Sequence, residues 1–200
     1  MSELDGQNIS DQVTLIDFDH AFLVSDPLPY KRLHTTNGYL APELYTRRPR
    51  AKSIDLWAMA STIFLLRSGK ELFDKDFWCA QHYYLEEMER LLGQLPPDMQ
   101  SEIIWEGQFN LGNEPSRYEP NGLLEWVRTI GQIDPDASAY YKEYTRKNEK
   151  PFSPWDVAEN PISEDEAAEL TNLLRGLLKY RPEERMTAEE ALEHPWFHRD

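Results

Sequence analysis

The sequence predicts a mainly α chain with a short strand or hairpin near its N-terminus. Three patterns carry that expectation. Residues 53–68 form an apolar run with helix boundaries at both ends. Ser163 and Thr187 are each followed three residues later by a glutamate, the sign of a helix start, ahead of apolar-periodic stretches. Val13–Asp17 places β-branched and apolar residues before a turn, as a strand does.

Taken in order, residues 1–12 read as a disordered or remnant segment and 13–17 as the strand. Residues 18–38 hold Pro27, Pro29, Asn37 and Gly38 with little periodicity, which is loop. The clearest helix runs from Ser53 to Leu66 within the 53–68 segment. Ser53 is the expected N-cap, Asp55 stands near the positive end of the dipole, and Gly69 follows the last turn. Ile54, Leu56, Trp57, Met59, Ile63, Phe64, Leu65 and Leu66 leave it apolar nearly all round, which predicts burial on every side.

Asp76–Leu92 reads as an amphipathic helix that stops at Gly93 before Pro96-Pro97, and 106–122 as an irregular connection. Gly122–Gly131 and Ser138–Arg146 predict short helices, the second with Tyr140, Tyr141 and Tyr144 on one face. Ser163–Tyr180 and Thr187–His194 are the closing helices, the last ended by Pro195. No internal repeat or interdomain linker is visible.

Composition narrows the functions open to such a chain. At 40% hydrophobic and 12% aromatic residues it carries enough apolar surface for a core. No apolar run approaches the roughly 20 residues of a membrane span, and the acidic, polar start Met1–Asp5 is unlike a secretory signal. Cys79 is the only cysteine, which predicts a reducing compartment, cytoplasmic or nuclear, and a half-buried apolar role for the thiol. The net charge of −15 disfavours nucleic acid and anionic lipid. Six basic side chains (Lys31, Arg32, Arg47, Arg48, Arg50, Lys52) nevertheless face one acid, Glu43, in a single stretch, so the remaining body is more acidic still. An acidic body suits a protein or basic-peptide partner. The histidines His20, His34, His82 and His194 show no metal-ligand spacing.

Several short motifs occur in one order. Asp17-Phe18-Asp19 leaves the predicted strand, Ala41-Pro42-Glu43 follows, and Asp55-Leu56-Trp57 opens the buried helix. Arg185 lies in Arg181-Pro182-Glu183-Glu184-Arg185-Met186-Thr187, and the chain closes on Ala191-Leu192-Glu193-His194-Pro195-Trp196-Phe197. Together these resemble the D-F-G, A-P-E and D-x-W elements and C-terminal helices of a eukaryotic Ser/Thr protein kinase. The resemblance spans 13–197 as a partial, C-lobe domain: activation segment 17–43, buried helix 53–68, group-specific insert 76–160, C-terminal helices 163–197. Glu86–Gly93 with Leu95-Pro96-Pro97, preceded by Ser68–Phe73, is most similar to the SR-protein-kinase-like branch, as found in fungi. Two positions depart from the pattern: Asp19 stands for the glycine of D-F-G, and Leu40 for the arginine that usually precedes A-P-E.

The resemblance implies roles for these residues. Asp17 would be the Mg²⁺ and ATP-cofactor ligand. Glu43 would form a buried ion pair with Arg185, Asp55 would accept backbone N–H bonds near the catalytic loop, and Thr35 and Thr36 are candidate phosphosites. ATP and Mg²⁺ are the family's cofactors, and serines in Arg/Ser-rich segments the branch's substrates. The 200 residues contain no G-x-G-x-x-G loop, no strand lysine with its helix glutamate and no H-R-D-x-x-x-x-N catalytic loop. Asp5 and Asn8 are the candidate remnants of that loop, three residues apart instead of five. This chain alone is therefore expected to be inactive and not to bind ATP productively. The alternative is a short pseudokinase acting as a protein-binding module. Either way, an apolar face left uncovered by missing segments is expected to self-associate or to bind chaperone.

Overall fold

A computed structural model of the chain describes residues 14–18, 21–23, 25, 37–46, 48, 52–73, 81–103, 121–132 and 161–199. The chain divides into two units, 1–34 and 35–200, and the helices lie in the second. These are α1 (Ile54–Ser68), α2 (Gln81–Leu92), α3 (Pro97–Gln100), α4 (Gly122–Arg128), α5 (Glu164–Leu177) and α6 (Ala188–Leu192). Single 3₁₀ turns occur at Asn37–Tyr39, Pro42–Tyr45, Pro182–Glu184 and Pro195–His198. The expected helices or connections at 76–80, 106–120 and 138–146, together with Cys79 and the three tyrosines near 140, fall outside the described residues.

The mainly α expectation holds, but the strand does not form among the described residues. Thr14–Asp17 pairs with no ladder, and Leu15 and Ile16 are 78% and 80% exposed. A β-prone sequence becomes a strand only when a partner accepts its backbone groups.

In the larger unit α4 packs against both α2 and α5, and α5 also packs against α1. The buried face of α1 presents Ile54, Trp57, Ala60, Ser61, Ile63, Phe64 and Ser68. The Trp57 ring stacks on Phe73 with centroids 5.7 Å apart, and Phe64 stacks on Trp126 at 6.2 Å. Leu170, Leu173, Leu174 and Leu177 of α5 are fully buried, one apolar stripe at helical spacing.

Two expectations for α1 need correcting. It is not buried on every side: Asp55, Thr62 and Leu66, with half-buried Met59 between them, make an exposed stripe, and Leu66 is 71% exposed. The reason is visible in the spacing. Positions 55, 59, 62 and 66 share one helix face, and two of the four are polar. Nor does Ser53 cap the helix. Its backbone is helical and its hydroxyl makes no capping bond, while its carbonyl accepts from the Arg185 guanidinium at 2.9 Å. The C-terminal signal holds, with Gly69 in the left-handed region at φ 70° and its N–H on the Leu65 carbonyl.

The two capping boxes differ. At α6 both halves are present: Thr187 accepts from the Glu190 N–H, and the Glu190 carboxylate accepts from the Thr187 N–H. At α5 the Ser163 hydroxyl accepts from the Glu166 N–H at 3.2 Å. The Glu166 carboxylate instead takes two bonds from Arg67 of α1, at 2.7 and 2.9 Å. That pairing ties α5 to α1. Arg67 holds the Glu166 carboxyl below its ordinary range, chiefly through these hydrogen bonds.

Candidate functional site

The structure brings the motif residues of the larger unit into one buried contact. Pro42–Tyr45 forms a 3₁₀ turn that buries Pro42, Glu43 and Tyr45, with Ala41 fully buried just before it. Pro182–Glu184 is a second such turn and delivers Arg185 to the same place. The two side chains meet with zero exposure on either. Arg185 donates Nη1 to Glu43 Oε1 at 2.7 Å and Nη2 to Oε2 at 2.6 Å. Its other donors reach backbone carbonyls: Nε to Lys179 at 2.8 Å, Nη1 to Ser53 at 2.9 Å, Nη2 to Tyr180 at 3.4 Å. All five N–H groups of the guanidinium are thus engaged, which is what a charge removed from water requires.

Trp57 completes the contact from α1. Its ring lies 5.2 Å from the Arg185 guanidinium carbon, a cation–π distance, and 6.5 Å from the Tyr180 ring. Tyr180 donates its hydroxyl to the Gly93 carbonyl at 2.6 Å, and burial pushes its pKa well above the normal phenol range. The chemistry of this cluster is structural. It joins the 42–45 turn, the start of α1 and the segment before α6, and it exposes no acid, base or nucleophile. Asp55, by contrast, is exposed, and its N–H bonds the Lys52 carbonyl at 3.2 Å.

Among the described residues of the smaller unit is Asp17, the metal ligand expected from the sequence. Asp17 adopts a left-handed backbone, φ 66°, and is exposed. Phe18 beside it is 65% exposed, and its carbonyl accepts from the Ala21 N–H. A single carboxylate is a normal protein contribution to Mg²⁺, the remaining ligands being phosphate oxygens and water. Asp17 fits that role by type, though no group of three His, Cys, Asp or Glu side chains that could hold a metal occurs among the described residues. Asp5, Asn8, Asp19, Thr35 and Thr36 lie outside the described residues.

Some contacts escaped the sequence. Arg48, counted there among the six basic side chains of one stretch, is engaged by acids: Glu102 at 2.7 Å and Asp98 at 2.7 Å. Asp98 also accepts from Arg181 at 2.8 Å. Hydrogen bonds from Arg48, then from Arg181, push its carboxyl down to about 2. Buried Glu89 accepts from the Leu95 N–H at 2.9 Å and from the Gln100 amide at 3.3 Å, shaping the turn between α2 and α3. His194 is buried. Its Nδ1 accepts from the Trp196 N–H, which leaves Nε2 to donate to Asn172 Oδ1 at 3.0 Å. The letters H-R-D do occur at 198–200, but His198 donates to the Leu192 carbonyl and Arg199 pairs with Glu169.

Comparison with known proteins agrees with this geometry. A family model for the protein kinase domain matches residues 4–197. The chain is 30% identical over 188 residues to the serine/threonine-protein kinase Doa of Drosophila melanogaster, covering 94% of this chain and 20% of that protein. It is 28% identical over 190 residues to the human dual specificity protein kinase CLK2, covering 95% and 32%. It is 26% identical over 165 residues to the serine/threonine-protein kinase SRPK of Physarum polycephalum, covering 80% and 33%. The chain thus spans between a fifth and a third of the length of these relatives. With the match running through the A-P-E turn, the buried α1 and the closing helices, the chain belongs to the protein kinase domain family, among relatives of the CLK and SRPK type.

Proposed function

We propose that this chain is the larger-lobe portion of an SR-protein-kinase-like Ser/Thr kinase. In the whole protein it would work with ATP and Mg²⁺ on serines in basic, Arg/Ser-rich segments, in the cytoplasm or nucleus. The buried Glu43–Arg185 pair carries the reading, because it fastens the A-P-E turn to the C-terminal helices as a kinase scaffold needs. An acidic body around a basic peptide is the matching electrostatic arrangement.

By themselves the 200 residues do not transfer phosphoryl groups. The chain holds no glycine-rich loop, no clamp lysine and no H-R-D-x-x-x-x-N loop. Loss of a general base alone costs about 10²–10⁴-fold in rate, and absent phosphate clamps compound it. Purified chain incubated with labelled ATP and an Arg/Ser peptide is expected to give no incorporation above the Asp17→Asn variant. Incorporation abolished by Asp17→Asn would overturn the statement.

A second reading, a binding module of the pseudokinase kind, is favoured by the exposed stripe on α1. Leu66, Met59 and Thr62 would then contact another protein, a chaperone or a second copy. Sedimentation of the chain across a hundredfold concentration range is expected to show association that Leu66→Lys weakens. A monodisperse monomer at every concentration would count against this reading.

A further inference from the structure

Outside the buried pair, polar contacts close a ring through three segments. The Glu43 carbonyl accepts from the Thr46 hydroxyl at 2.8 Å, and that hydroxyl accepts from the Arg48 N–H at 3.2 Å. Arg48 and Arg181 then converge on the two oxygens of one carboxylate, Asp98 in α3, at 2.7 and 2.8 Å. The Arg181 carbonyl accepts from the Glu184 N–H in the 3₁₀ turn, and Arg185 returns the ring to Glu43. The inner part is dry, whereas the outer side chains keep exposures of 22% (Arg48), 45% (Asp98) and 34% (Arg181). Salt therefore screens the outer contacts and leaves the inner pair intact.

We propose that Asp98 is a latch by which α3 holds the segment that follows the 42–45 turn, so that breaking its contacts with Arg48 and Arg181 would loosen that segment without unfolding the domain. The latch has two states with a physical difference between them. When closed, Arg48 is fixed between Asp98 and Glu102. When open, the Arg48 side chain is released from Asp98 and held by Glu102 alone, so the Arg48 N–H to Thr46 hydroxyl bond loses part of its anchor while Glu43 stays bound to Arg185. The carboxylate serves here as a positioning group, and nothing in the proposal depends on phosphoryl transfer.

Hydrogen exchange on the 200-residue chain tests it. Asp98→Asn is expected to speed exchange in a peptide covering 44–48 by ~1.5–5-fold, the range of a lost exposed ion pair. A peptide covering α5 should be unchanged. Arg181→Gln should act in the same direction and add little on top of Asp98→Asn. High NaCl should reproduce the effect in the parent chain and leave the variant as it was. Unchanged exchange at 44–48, an equal rise in α5, or fully additive effects would each overturn the latch.

Discussion

Arg185→Met is expected to bring the larger unit close to unfolding. The substitution leaves the Glu43 carboxylate in a site with no exposure and removes both charged donors on which it depends. Stranding one partner of a buried pair costs about 3–5 kcal/mol, against a total stability of about 5–15 kcal/mol for a domain. The loss extends beyond Glu43, because the carbonyls of Ser53, Lys179 and Tyr180 lose their donors too. Replacing both partners, as Glu43→Leu with Arg185→Met, removes the uncompensated charge and should recover much of the loss. Urea unfolding of the parent, both single variants and the double variant forms the required cycle. Costs that simply add would show that the pair is not coupled, and a single-variant cost below about 1 kcal/mol would place the pair in solvent.

Trp57→Ala is the other large effect. The ring is fully buried, stacked 5.7 Å from Phe73 at 13°, and lies against Tyr180 and the Arg185 guanidinium. Truncating an aromatic in such a position costs about 3–5 kcal/mol through lost contacts and the cavity left behind. Trp57→Phe should be far milder. Its Nε1 is buried with no hydrogen-bond partner, so the smaller ring removes a donor that gains nothing where it sits. Thermal melts of the two variants separate the contributions. If phenylalanine cost as much as alanine, the indole N–H would have a partner and the packing account would be wrong.

The elements legible in the sequence are those set by local chemistry. Thr187 and Glu190 lie three residues apart, and a capping box needs nothing more distant. Gly69 ends α1 because the left-handed C-cap is a one-residue requirement. The apolar periodicity of α5 likewise matches its buried leucines. What escaped was decided by partners far along the chain. Ser53 had the type of an N-cap, yet a guanidinium 132 residues away takes up its carbonyl. Glu166 had the spacing of a capping box, but Arg67, 99 residues earlier, draws its carboxylate away. Thr14–Asp17 had strand residues and met no ladder. For the site, the order of short motifs marked out Glu43, Trp57 and Arg185. The Arg48–Asp98–Arg181 contacts had no such signature, since arginines and acids on a surface occur in every register.

The left-handed backbone at Asp17 decides how its chemistry can be read at all. Alanine disfavours that conformation by roughly 1–2 kcal/mol, whereas asparagine accepts it much as aspartate does. An alanine variant would therefore confound loss of the negative charge with a reshaped turn, and its phenotype would speak to neither. The amide replaces the carboxylate atom for atom and lets a binding or turnover measurement report on charge alone.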